Sequence, residues 1–258
     1  MPVEYELRPE ITGMGKSQGE IFVDSAYLAK KMSEETGKNH SPAAIDRMLG
    51  KTGGISRGWL PEGKGASALV DPALNMALEM ANRKFDELTV LNIATGLPDR
   101  LGVPTGAIVQ NMHNGKKEIA VRDLSAACPG FIHLLQLTYA DIDSDDYGNG
   151  GPQIVAAGEP ASRGINPYLK ATYLIFGDGG GAFVVDKIKV DKRLPKAKFS
   201  FRTDGRFVDY LSVPAGGSEK PITHESLDAH ENGIHMQGGK VLELAPKEMA
   251  LVIEAVMG

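Results

Sequence analysis

Two spacings of apolar residues alternate along the 258-residue chain. Residues 88–94, 119–124, 154–157 and 182–185 are short apolar runs with little polar alternation, the pattern of strands covered on both faces. Between them, residues 25–35, 41–49, 66–82, 104–112 and 130–140 repeat apolar positions every three or four residues and predict helices. Ser41 supplies a side-chain cap and Pro42 the first helical position of one of these. Residues 5–13 predict the first strand, and residues 173–176 another, joined to 182–185 through a glycine turn. Past a charged connector at 187–198, residues 199–202 predict one more strand, followed by a loop, a hairpin-like region and a final helix from Gly239 that Pro246 bends or shortens. Strands alternating with helices predict an α/β layered fold.

Composition narrows the class. A 42% hydrophobic content over this length supports one large domain or two small ones. The net charge of −5 and the absence of a basic block argue against nucleic-acid or anionic-membrane partners. One cysteine permits no internal disulfide and fits a reducing cytoplasm. No apolar run reaches the roughly 18 residues of a spanning helix, and the N-terminus lacks a signal pattern, so a cytosolic location is expected.

That cysteine, Cys128, stands in DLSAACPGF, residues 123–131, at the junction of a predicted strand and a predicted helix. Backbone N–H groups and the dipole at a helix N-terminus favour a thiolate there. A lone cysteine is commonly buried and inert. The small residues Ser125, Ala126 and Ala127 before it, with Pro129 and Gly130 after it, favour the nucleophile. Other stretches only imitate sites. Gly13 to Ser17 ends like a phosphate loop, but Glu10 replaces the leading glycine, so a turn is expected. Asp141, Asp143 and Asp145 have calcium-loop spacing, yet Asp146 and Pro152 occupy the positions needing glycine and glutamate, which favours a solvated acidic loop. Residues 176–182, FGDGGGA, run into a strand where a dinucleotide fingerprint needs a helix.

Three stretches in order, DLSAACPGF, FGDGGGAFVV (176–185) and IHMQGGKVLELAPKEM (234–249), resemble β-ketoacyl-acyl carrier protein synthase III of the thiolase superfamily. Weaker collinear matches are Gly13-Met-Gly15, KTGGISR (51–57), Ala94-Thr95 before Pro104, and Asp204-Gly205. The resemblance implies a thiolase-like α-β-α-β-α layered fold, its first half complete at residues 1–190 and its second half, 191–258, truncated. It makes Cys128 the acceptor of an acyl group from coenzyme A in fatty acid biosynthesis, followed by decarboxylative condensation with malonyl-acyl carrier protein. It assigns the oxyanion to backbone N–H groups of Cys128 and of Gly179, Gly180 and Gly181, and substrate contacts to Lys51, Arg57 and Val103. No metal or cofactor is implied beyond acyl-coenzyme A as substrate, and a homodimer is expected. None of the six histidines lies in the family's His or Asn motifs. Condensation by this chain alone is therefore expected to be impaired, with a second polypeptide supplying the missing half. The alternative is a non-catalytic truncated remnant or binding subunit of a split synthase.

Overall fold

The computed structural model describes residues 3–50, 53–144 and 150–258. Its elements in chain order are β1 (Tyr5–Gln18), β2 (Ile21–Val23), α1 (Ser25–Thr36), α2 (Pro42–Leu49), β3 (Arg57–Trp59), α3 (Ser67–Met80), β4 (Val90–Ala94), α4 (Thr105–Met112), β5 (Ala120–Leu124), α5 (Gly130–Ser144), β6 (Gln153–Glu159), α6 (Lys170–Tyr173), β7 (Gly179–Asp191), β8 (Leu211–Ser212), α7 (His224–Asp228), β9 (His235–Met236) and α8 (Gly238–Met257). They form two compact units: Met1–Ile21, Gly58–Pro160 and Asp178–Lys196 make the first, and Phe22–Arg57, Ala161–Gly177 and Ala197–Gly258 the second.

The first unit is a five-stranded sheet in the order β1-β7-β6-β4-β5. Helices α4 and α5 cross over between β4, β5 and β6, so these three strands run parallel, while β7 is antiparallel to both β6 and β1. Side-chain alternation gives each face its own helix. Leu91, Ile93, Ile154, Ala156, Ala182 and Val184 meet α3 in the buried core. On the opposite face Phe183 packs edge-on against Phe131 of α5, with centroids 5.0 Å apart, and the Asn92 amide donates to Thr138 Oγ1 at 2.9 Å.

Helix α3 lies closer to the sheet than side chains would allow, and this explains the glycines. A Cβ on Gly15 would stand 1.9 Å from the Ala73 carbonyl oxygen, and one on Gly13 would stand 2.1 Å from that of Ala77. Gly158 and Gly180 meet the carbonyls of Ala66 and Leu69 in the same way, at 2.6 and 2.7 Å. Two expected turns are therefore corrected. Strand β1 continues through Gly13 to Gln18, with Ser17 donating to the Leu69 carbonyl, and Gly179 to Gly181 open the long strand β7 between β6 and β1. The predicted strand at 173–176 is also corrected, because Lys170–Tyr173 forms a helical turn closed by Tyr173 N to Leu169 O at 3.0 Å. Residues 199–202 join no sheet.

In the second unit Asp24 caps α1 by accepting from Tyr27 N at 2.8 Å, and Gly37 ends it at φ 67°. Ser41 caps α2 as expected. The two helices share a core of Leu28, Met32, Ile45 and Leu49, and Ser25 Oγ donates to Asp46. The hairpin-like region is the short antiparallel pair β8–β9. Helix α8 continues through Pro246 and buries no residue; Leu242 is 75% exposed and Ile253 56%. No helix among the described residues is long and apolar enough to cross a membrane.

Candidate active site

Parallel strands end on one edge of a sheet, and loops leaving that edge are where α/β proteins place chemistry. Ala94 of β4 is in register with Leu124 of β5 and with Ala157 of β6, and β7 begins at the same edge because Gly179 pairs with Glu159. Cys128 sits on the β5 loop of this edge.

The loop is a tight elbow. Ala127 adopts a left-handed conformation at φ 48°, a strained choice for a residue with a Cβ, and Cys128 follows it, exposed. Helix α5 then starts within two residues, with Gly130 N donating to Ala127 O at 3.1 Å and His133 N to Pro129 O at 3.0 Å. Both ends of the elbow bear on β4. Thr95 N donates to Leu124 O at 3.3 Å, and a Cβ on Gly130 would lie 3.3 Å from that of Ala94. The inert-cysteine alternative rests on burial, whereas here the thiol is exposed, next to the strained Ala127.

Two carboxylates fix the neighbouring loops, and neither stood out in the sequence. Asp123, five residues before Cys128, accepts from Thr105 N at 2.5 Å and Gly106 N at 3.0 Å. It thereby ties the start of α4, and the turn holding Val103, to β5. Loss of hydration raises the Asp123 pKa against the opposing effect of those two donors. Glu159 at the end of β6 accepts from Gly96 N at 2.8 Å, and its pKa is raised by burial, with repulsion from Asp178 adding to the effect.

The remaining expected residues are placed less uniformly. Gly179 to Gly181 lie inside a ladder, paired with Gln18, Ser17 and Lys16 of β1 on one side and with Glu159, Gly158 and Ala157 of β6 on the other. Val103 is 42% exposed in the turn before α4. Arg57 belongs to the second unit, where its guanidinium donates to the Leu174 carbonyl and burial lowers its pKa. Lys51 lies outside the described residues, as do Asp145 and Asp146 of the acidic stretch; Asp141 pairs with Arg122 at 2.6 Å.

Most histidines serve local structure. His113 pairs with Asp71 at 2.7 Å and stacks on Phe85, His40 contacts Thr36 Oγ1, and His230 stacks on Tyr168 while its carbonyl lies 3.0 Å from the His235 ring. His133, on α5, lines an open groove of about 490 Å³ beside Asp123 and Leu124. Among the described residues no group of acidic, histidine or cysteine side chains is arranged to hold a metal ion.

Comparison with known proteins decides what this elbow belongs to. Residues 122–205, from β5 through β7, match the family model of 3-oxoacyl-[acyl-carrier-protein] synthase III. Beta-ketoacyl-[acyl-carrier-protein] synthase III of Caldanaerobacter subterraneus is 32% identical over 230 residues, covering 89% of this chain and 68% of that protein. The acetoacetyl CoA synthase of Streptomyces sp. strain CL190 is 30% identical over 241 residues, or 92% of this chain and 71% of that one. The chain belongs to the 3-oxoacyl-[acyl-carrier-protein] synthase III family.

Solved structures of synthase III proteins share the fold. One superposes with a TM-score of 0.81 at 19% identity, over 97% of this chain and 73% of its own length. The Pseudomonas aeruginosa enzyme gives 0.78 at 22% identity, over 97% and 70%. The fold is thus thiolase-like, as the motifs implied. Within the family match lie the elbow, the carboxylate clamps Asp123 and Glu159, and the glycine-opened strand β7.

Proposed function

We propose that the protein is an acyl-transferring condensing enzyme of the synthase III type, priming fatty acid or related acyl-chain synthesis from acyl-coenzyme A. The observation that carries this is the exposed Cys128 behind a left-handed Ala127 at the end of β5, in a member of this family. The Cys128 thiolate attacks the thioester carbonyl of acyl-coenzyme A, and the tetrahedral oxyanion is held by the Cys128 N–H. Collapse expels the coenzyme A thiolate and leaves an acyl thioester on Cys128. In the second half-reaction a malonyl thioester on acyl carrier protein loses carbon dioxide. The electron pair released forms the new carbon–carbon bond at the acyl carbonyl, and the Cys128 thiolate departs. A homodimer is part of this reading, since β5 is the sheet's edge strand and pairs only with β4 among the described residues.

Intact-mass measurement after incubation with short-chain acyl-coenzyme A tests the first step. One acyl group is expected per chain, and none on Cys128→Ala. Adding malonyl-acyl carrier protein or malonyl-coenzyme A to the acylated 258-residue polypeptide tests the second. Ketoacyl product and loss of the acyl group from Cys128 are expected; a missing proton-transfer group would cost about 10² to 10⁴ in rate, so an acyl-enzyme that persists would count against the condensing step. Turnover at about 1 to 10³ per second would show that a residue of this polypeptide supplies that group. A Cys128 that takes no acyl group overturns the assignment and leaves the non-catalytic alternative.

A further inference from the structure

We infer that Glu159 is a positioning residue for the nucleophile elbow: its carboxylate holds the loop leaving β4, on which both ends of the elbow are anchored. The inference rests on Cys128 being the acyl acceptor. Gly96 N donates to Glu159 Oε2 at 2.8 Å, and the adjacent Thr95 N donates to Leu124 O at the elbow's start. Ala94, one residue earlier, receives Gly130 at the elbow's end. Glu159 is therefore one hydrogen bond away from the three-residue segment that carries the strained turn.

The charge is what needs explaining. Glu159 is half-buried, faces no cation in any ion pair among the described residues, and lies within reach of the Asp178 charge. Its raised pKa means that its ionised form opposes folding. A glutamine has the same shape and would still accept from Gly96 N without that penalty, so packing alone gives no reason for a carboxylate. A carboxylate makes the shorter and stronger bond to a backbone N–H, and it fixes the Gly96 loop, and through Thr95 the elbow, more tightly than a neutral amide does. This is stability given up for a rigid site.

The test uses the full chain with Glu159→Gln and Glu159→Ala. Three quantities are measured: the thermal midpoint at neutral pH, the rate and half-saturation of Cys128 acylation by acyl-coenzyme A, and the alkylation rate of Cys128 by iodoacetamide. Glu159→Gln is expected to raise the midpoint while its maximal acylation rate falls on the order of tenfold, because small displacements of a reacting group are expensive in rate. Half-saturation should not change, and Glu159→Ala should be slower still. Wild-type acylation by Glu159→Gln, or a loss of rate accompanied by a loss of stability, would overturn the inference. If Glu159→Ala does not fold, Glu159→Gln decides. If the wild type alkylates but does not acylate, the acyltransferase reading fails while the alkylation rates still judge the inference, which requires wild type above Glu159→Gln above Glu159→Ala. A Cys128 inert to both reagents overturns both.

Discussion

Gly15→Ala isolates the close seating of α3. The added Cβ would lie 1.9 Å from the Ala73 carbonyl oxygen and 2.8 Å from Ala77 N, both backbone atoms of α3 that no rotamer can move. Relieving the overlap requires α3 to lift by roughly 1 Å, a gap that already forfeits a quarter to a half of the dispersion energy at each facing contact. Val70, Ala73, Leu74 and Ala77, all fully buried, lose contacts together. The expected penalty is at the upper end for overpacked sites, about 3 kcal/mol, or roughly 6 to 12 °C in unfolding midpoint for a unit of this size. Gly63→Ala in the same unit is the control. It has open space around the added Cβ but a φ of 77°, so it bears only the conformational cost of about 1 kcal/mol. The sole tryptophan, Trp59, lies in this unit, so its fluorescence during heating or urea titration reports both variants. A Gly15→Ala protein that unfolds within about 1 kcal/mol of wild type would refute the reasoning, as would one no less stable than Gly63→Ala.

Thr138→Val leaves the buried Asn92 amide N–H without its acceptor, on a side chain whose Oδ1 has no hydrogen-bond partner among the described residues. It should cost about 1–3 kcal/mol by urea unfolding, most of it recovered in the double variant with Asn92→Val. Burial raises the Tyr173 pKa, so the folded unit holds its phenolic proton more tightly than the unfolded chain does. Stability should therefore fall as pH rises beyond about 10, where the unfolded tyrosine ionises, and Tyr173→Phe should flatten that alkaline limb in circular dichroism.

What the sequence revealed depended on how local the cause was. Helices α2, α3 and α4 and strands β4 and β5 emerged within two residues of their predicted ends, because a cap such as Ser41 or an apolar period acts inside its own segment. Gly13, Gly15 and Gly180 misled for the opposite reason. A glycine permits a turn and also permits a backbone to approach, and only the placement of α3 across β1 and β7 selects the second. Residues 173–176 have strand composition, yet helical bonds to Leu169 and Lys170 govern the start of that segment. Aliphatic content states a wish for burial, not a backbone geometry.

The site divides along the same line. Cys128 was legible because its loop is contiguous: small residues, the cysteine, then proline and glycine at a helix start, all within 123–131. Asp123 and Glu159 carry no such mark, because the groups they bind are backbone N–H groups of Thr105, Gly106 and Gly96, 18, 17 and 63 residues away. A backbone donor carries no side-chain identity, so no motif can mark it. What the sequence does show is an acidic residue at the end of an apolar strand, as in Ala-Ala-Gly-Glu159-Pro. Ionised carboxylates avoid half-buried positions unless something repays the lost hydration. In a parallel sheet the strand's carboxyl end is also where the neighbouring loops turn and present unsatisfied N–H groups. An acidic residue in that position is thus a sequence-level sign of a loop clamp at the sheet edge that carries Cys128. That is how Glu159 and the elbow come to share β4.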